Sequence, residues 1–182
     1  MADKTNSTRT VPYAYRSAYG TFQLRDFEQS TALSTAIIRV GDVVGFDPNV
    51  STATGRLRKC STMANVPNIL STGSWLGLAM EAGDSSVSAT APSTNKLKVC
   101  LATANTEFWF PTKSSAVTST CVGVSKALGY DSTLGMFYVD MGNSTAGDVT
   151  VVITEVPEPG TDANNPVIVK FLSSVVSRLV NG

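Results

Sequence analysis

Strand-length apolar runs recur along this chain with turn residues between them and no helix-length amphipathic segment to connect them. Trp75-Leu76-Gly77-Leu78-Ala79-Met80, Leu97-Lys98-Val99-Cys100-Leu101 and Glu107-Phe108-Trp109-Phe110 lie in its first two thirds. Cys121-Val122-Gly123-Val124-Ser125, Met136-Phe137-Tyr138-Val139-Asp140, Val149-Thr150-Val151-Val152-Ile153-Thr154 and Val167-Ile168-Val169-Lys170-Phe171-Leu172 follow. Stretches such as Gly142-Asn143-Ser144 and Pro157-Glu158-Pro159-Gly160 punctuate them. β-Branched and aromatic runs spaced this way predict short antiparallel strands. The expected fold class is therefore all-β: a small antiparallel barrel or a sandwich. Composition agrees, because Ser and Thr supply about a quarter of the 182 residues and only 15% are charged, while Glu, Lys, Gln and Arg, good helix formers, are scarce.

Two segments carry a weaker helical signal. Ser125 to Leu128 is short and stops at Gly129, and residues 173–182 place Val175, Val176, Leu179 and Val180 on one helical face. The latter reads equally as a closing edge strand or a contact tail.

Three units are expected along the chain. Residues 1–35 scatter Tyr13, Tyr15, Tyr19, Phe22 and Phe27 among polar neighbours, and residues 1–25 hold Lys4, Arg9, Arg16 and Arg25 against Asp3 alone. Such a segment has too little contiguous apolar surface to fold alone, so it is expected to be an extended arm that orders against a partner surface. Residues 36–172 form the β domain and 173–182 a C-terminal tail. In Ile37-Ile38-Arg39-Val40-Gly41-Asp42-Val43-Val44-Gly45-Phe46, two short strands flank a Gly-Asp turn. Further on, Arg56-Leu57-Arg58-Lys59 is a basic knot whose alternation sets Arg56 and Arg58 on one strand face and Leu57 on the other.

Catalytic chemistry is constrained by one omission: the chain has no histidine. The usual general base, the Ser-His and Cys-His pairs and the commonest transition-metal ligand go with it. Gly83-Asp84-Ser85-Ser86 has a serine but no such base beside it, which leaves only a Ser-Lys arrangement using Lys96 or Lys126. Gly41 to Gly45 lacks the Gly-Lys-Ser/Thr of a phosphate loop. Asp42, Asp47 and Asp84 do not have calcium-loop spacing and read as turn-capping residues. No catalytic residue, cofactor or metal is expected.

The 14 basic and 14 acidic residues cancel, so no net field favours a nucleic acid or an anionic membrane, and no run reaches the ~18 apolar residues of a spanning helix. The first residues lack the apolar core of a signal peptide, which gives an expectation of cytosolic synthesis. Cys60, Cys100 and Cys121 are widely spaced within apolar runs and read as small buried hydrophobes.

Three ordered motifs carry a resemblance: Ile38-Arg39-Val40-Gly41-Asp42-Val43-Val44-Gly45-Phe46-Asp47, then Trp75-Leu76-Gly77-Leu78-Ala79-Met80-Glu81-Ala82-Gly83, then Pro166-Val167-Ile168-Val169-Lys170-Phe171-Leu172. Across residues 36 to 172 the chain resembles the capsid decoration, or head cement, proteins of tailed bacteriophages. The resemblance implies a small β-barrel or β-tulip domain that docks on the outside of an expanded capsid. It further implies the major capsid protein as partner, self-association, often as a homotrimer, and residence in the virion. The expected partner-binding residues are Arg9, Tyr13, Tyr15, Arg16, Tyr19, Phe22 and Arg25 of the arm, with Arg56 and Arg58 of the basic knot, because Tyr and Arg supply much interface energy at low ordering cost. Two other readings stay open: another self-associating virion component, such as a tail-tube, head-fibre or small coat subunit, and a carbohydrate-binding sandwich in which Trp75 or Trp109 stacks on a sugar.

Overall fold

The computed structural model describes residues 11–18, 20–29, 38–46, 57–60, 75–83, 96–146, 148–160 and 165–176. Twelve strands lie among them: β1 Tyr13–Ser17, β2 Leu24–Glu28, β3 Val43–Phe46, β4 Leu57–Lys59, β5 Trp75–Ala79, β6 Lys96–Leu101, β7 Thr106–Phe110, β8 Thr112–Lys113, β9 Ser125–Asp131, β10 Met136–Asp140, β11 Val151–Glu155 and β12 Val167–Phe171. A 3-10 turn lies at Ser119–Cys121. The all-β expectation is met. Ser125 to Leu128, which carried a helical signal, lies in β9, where Lys126 pairs with Val151 and Leu128 with Val139. Tertiary pairing on both sides outweighs a weak local preference.

The strands form two sheets. The larger has the order β1-β7-β12-β11-β9-β10-β8, and the smaller β2-β6-β5-β3-β4. The arrangement is sandwich-like rather than a closed barrel. In the large sheet β8 touches β10 through only two residue pairs, and in the small sheet a single bridge, Gln29 with Leu57, links the outermost strands.

The core lies between the sheets and is dominated by rings. Phe171 of β12 meets Trp75 of β5 at 5.8 Å, Phe108 of β7 at 5.4 Å and Phe110 at 6.2 Å, each near edge-to-face. Aromatic pairs prefer this geometry, which sets a ring's positive edge against a negative face. Trp75 is fully buried, and its indole Nε1 has no hydrogen-bond partner, so packing alone accounts for its place. All five residues of β5 are buried. The near-continuous apolar run of Trp75 to Ala79 reflects a strand covered on both faces.

Both ends of the described chain are tied into this body. β1 pairs antiparallel with β7, and β2 with β6. The expectation that residues 1–35 form an arm apart from the domain is therefore corrected for its described part. Its aromatics and alternating polar residues suit edge strands, which bury little and take their register from the neighbouring ladder. At the other end Val175 and Val176 are buried, and the Trp75 amide donates to the Val175 carbonyl at 3.2 Å. Residues 177–182 lie outside the described part.

Gly41 has φ +83°, and a side chain there would come within 2.5 Å of the Pro12 carbonyl oxygen. The residue thus supplies both the left-handed turn and the space for the segment entering β1. The Gly-Asp turn is real. The Arg39 amide donates to Asp42 Oδ2 at 2.7 Å and the Gly41 amide to the Ala79 carbonyl at 2.9 Å.

Candidate interaction surface

Side chains alternate across a pleated strand, so β7 sends Phe108 and Phe110 into the core and turns Glu107 and Trp109 outward. Phe108-Trp109-Phe110 is accordingly two core rings and one outward ring. Residues directly opposite across a ladder share a face. Trp109 is flanked by Tyr13 of β1 on one side and Ile168 of β12 on the other, while Arg16 stands across from Glu107. The Tyr13 and Trp109 rings stack at 5.3 Å and 15°. Tyr13 and Tyr15 remain 43% and 40% exposed. Burial, with a smaller contribution from Tyr15, moves the Tyr13 hydroxyl above its ordinary pKa.

The ladder between β1 and β7 is irregular between Ala14 and Arg16. A bulge here re-aims the following side chain and disturbs the open edge of the strand. Beyond it the Arg16 guanidinium hydrogen-bonds Glu107 through Nε and pairs with Glu155 through Nη1 at 2.9 Å, and Lys170 Nζ stands 3.8 Å from Glu107. Two cations and two carboxylates cancel, so this patch is polar without a net field. The hydrogen bond to Glu107, first among the causes, holds the Arg16 pKa above its ordinary value.

The structure brings together Tyr13, Tyr15 and Arg16 of the predicted contact residues. Phe22 and Arg25 are exposed but belong to the approach to β2 and to β2 itself, in the other sheet. Arg9, Tyr19 and Arg56 lie outside the described residues, as does the side chain of Arg58, whose backbone faces Gly45 across β3 and β4. The basic knot is divided: Lys59, which shares the inward parity of Leu57, is buried. Comparisons with family models, curated proteins and solved structures return no match. The functional reading therefore rests on residues and geometry alone.

Trp75, one of two candidate sugar platforms, is enclosed in the core and has no face for an external ring. Trp109 has one face occupied by Tyr13. Among the described residues no three His, Cys, Asp or Glu side chains cluster as metal ligands, and no helix is long and apolar enough to cross a membrane. Cys60 and Cys100 are buried, Cys121 is partly so, and none of the three is in a disulfide. Burial pushes the Cys100 thiol up to about 11.

Sequence reading did not anticipate Glu107, Glu155 and Lys170 as members of this patch. Only the outward parity of Glu107 and Trp109 within β7 hinted at it. A second cluster it did not assemble is Asp42, Lys59 and Tyr130. The carboxylate and ammonium meet at 2.8 Å with side chains 3% and 4% exposed, and Lys59 Nζ donates to the Tyr130 hydroxyl at 2.8 Å. Asp42 stands just ahead of β3, Lys59 ends β4, and Tyr130 comes from β9 in the other sheet. The Lys59–Tyr130 hydrogen bond thus joins the layers through the core.

Proposed function

We propose that this chain is a non-catalytic virion structural protein that binds the outer surface of an assembled phage capsid and links neighbouring capsid subunits. The observation that carries the reading is the outer face of the large sheet at β1 and β7. Tyr13 and Trp109 form a stacked pair there beside the exposed Tyr15, and Arg16 is internally neutralised. Rigid aromatics bordered by a charge-balanced rim are suited to a broad protein contact. The resemblance of the ordered motifs to capsid decoration proteins points the same way, as does a chain without histidine. Binding the assembled shell in preference to its dissociated subunits stabilises the assembly by that difference in affinity, and several copies or contacts multiply it.

The test mixes purified protein with expanded shells of a candidate phage major capsid protein. Occupancy is read by sedimentation and negative-stain imaging. Y13A/Y15A should fold as the parent does and lose at least tenfold in occupancy. Parent protein that never adds to shells overturns the proposal. A self-associating virion part is the second reading, favoured by β1 standing at the outside of its sheet; filaments formed by the purified protein alone would select it.

A further inference from the structure

Buried ion pairs are expensive to assemble, because two charges leave water and recover the loss only with good geometry. The Asp42-Lys59 pair is enclosed almost completely, yet neither group belongs to the exterior surface proposed for binding. Asp42 Oδ2 receives two donors, the Arg39 amide at 2.7 Å and Lys59 Nζ at 2.8 Å. Lys59 Nζ also reaches the Tyr130 hydroxyl at 2.8 Å. Apolar neighbours enclose the group: Val44 pairs with Lys59 across the ladder, and Val43, Val44, Leu57 and Cys60 are fully buried.

We propose that Lys59 and Asp42 condense within the folded protein into an intramolecular isopeptide bond between their side chains. An amine and a carboxyl group held in contact by a rigid core react at effective concentrations of about 10⁵ M or more when their approach is productive. Water, which favours the separated ions and hydrolysis, is excluded there. Proton transfer from the ammonium to the carboxylate first gives a neutral amine and a neutral acid. A low-dielectric site favours that exchange, and burial moves the Asp42 carboxyl above its ordinary pKa against the opposing pull of Lys59 and of the Arg39 amide. Lys59 Nζ then adds to Asp42 Cγ. The Arg39 amide holds Oδ2, the oxygen that takes the proton from Lys59 and later departs, while charge develops on Oδ1. The Tyr130 hydroxyl relays the proton leaving Nζ. The Cγ–OH bond breaks, the hydroxyl departs with that proton as water, and the Nζ–Cγ amide remains. No electron is gained or lost and no other reactant enters.

The product would be a covalent staple between the start of β3 and the end of β4. Intact-mass spectrometry of the full chain, denatured after prolonged incubation in the folded state, tests it directly. The parent should be lighter than its sequence by the mass of one water, and proteolysis should yield one branched peptide joining the segments that contain Asp42 and Lys59. K59R, which retains the charge but not the primary amine, should show its full sequence mass. Y130F should accumulate the lighter species at least tenfold more slowly. A parent mass equal to the full sequence, with unbranched peptides only, overturns the proposal and leaves a non-covalent ion pair. That reading needs no variant to fold.

Discussion

Tyr138 of β10 lays its ring across Gly129 of β9, its partner in the ladder, so closely that a Cβ on Gly129 would stand 2.4 Å from Tyr138 Cζ. The absent side chain of one strand is replaced by the ring of its neighbour. Gly129→Ala should therefore push the half-buried ring aside and cost about 1 kcal/mol, the low end of the range for overpacking, because the displaced atoms are the far end of a side chain. Urea denaturation followed by circular dichroism measures it. Adding Tyr138→Ala should make the double variant less unstable than the sum of the singles by about 0.5 kcal/mol or more, since the two residues are in contact.

Phe171 is the meeting point of three core rings contributed by both sheets. Phe171→Ala should cost about 3–5 kcal/mol, the transfer loss plus the void it leaves. Phe171→Leu should recover much of that. A loss under about 1 kcal/mol for the alanine variant would show that the ring cluster is not the keystone of the interface between the layers.

Asp131 ends β9 and caps the hairpin that follows. Its carboxylate accepts from the amides of Leu134 at 3.0 Å and Thr133 at 2.9 Å and from Lys113 Nζ at 2.9 Å. The Leu134 amide first, then Lys113, hold its pKa below the ordinary 3.8. A depressed pKa means that the folded state binds the proton less readily than the unfolded chain. The stabilisation is present above pH 3.8 and is lost as pH falls through the lower folded-state value. Asp131→Asn should therefore flatten the fall in stability below about pH 4, measured as denaturation midpoints across an acid series.

The three thiols should differ in reactivity. In the native protein at pH 8 a thiol reagent should modify Cys121 first, because it is the one not buried. Cys60 and Cys100 should react only on denaturation, Cys100 doubly protected by enclosure and by a thiol pushed up to about 11. Peptide mapping after timed alkylation reports the order. Equal rates at all three positions would mean that the core opens readily.

The strands most legible in the sequence are those whose own residues are sufficient. Val151-Val152-Ile153 and Val167-Ile168-Val169 are β-branched on both faces and become β11 and β12 at the centre of the large sheet. β1 and β2 were illegible as strands because Tyr-Ala-Tyr-Arg-Ser and Leu-Arg-Asp-Phe-Glu are mostly exposed and depend on β7 and β6 for their pairing. For the same reason Arg16 read as a residue open to a partner surface, when Glu107 and Glu155 already engage it. Lys59 read only as one more charge of the basic knot. Its inward position follows from sharing parity with Leu57, but the carboxylate that makes burial tolerable stands just ahead of another strand and comes near only on folding.

The pairing of β1 with β7 joins residues whose contact spans 91 positions, Arg16 to Glu107. A ribosome releases the first of these long before the second, so the leading strand must wait, unzipped, until more than half of the polypeptide has emerged. Distant pairings of this kind slow folding, because loop-closure entropy is spent before any ladder forms. The large sheet should consequently acquire this edge late, and nascent chains stalled short of Phe110 should stay accessible to proteases near Tyr13 and Tyr15.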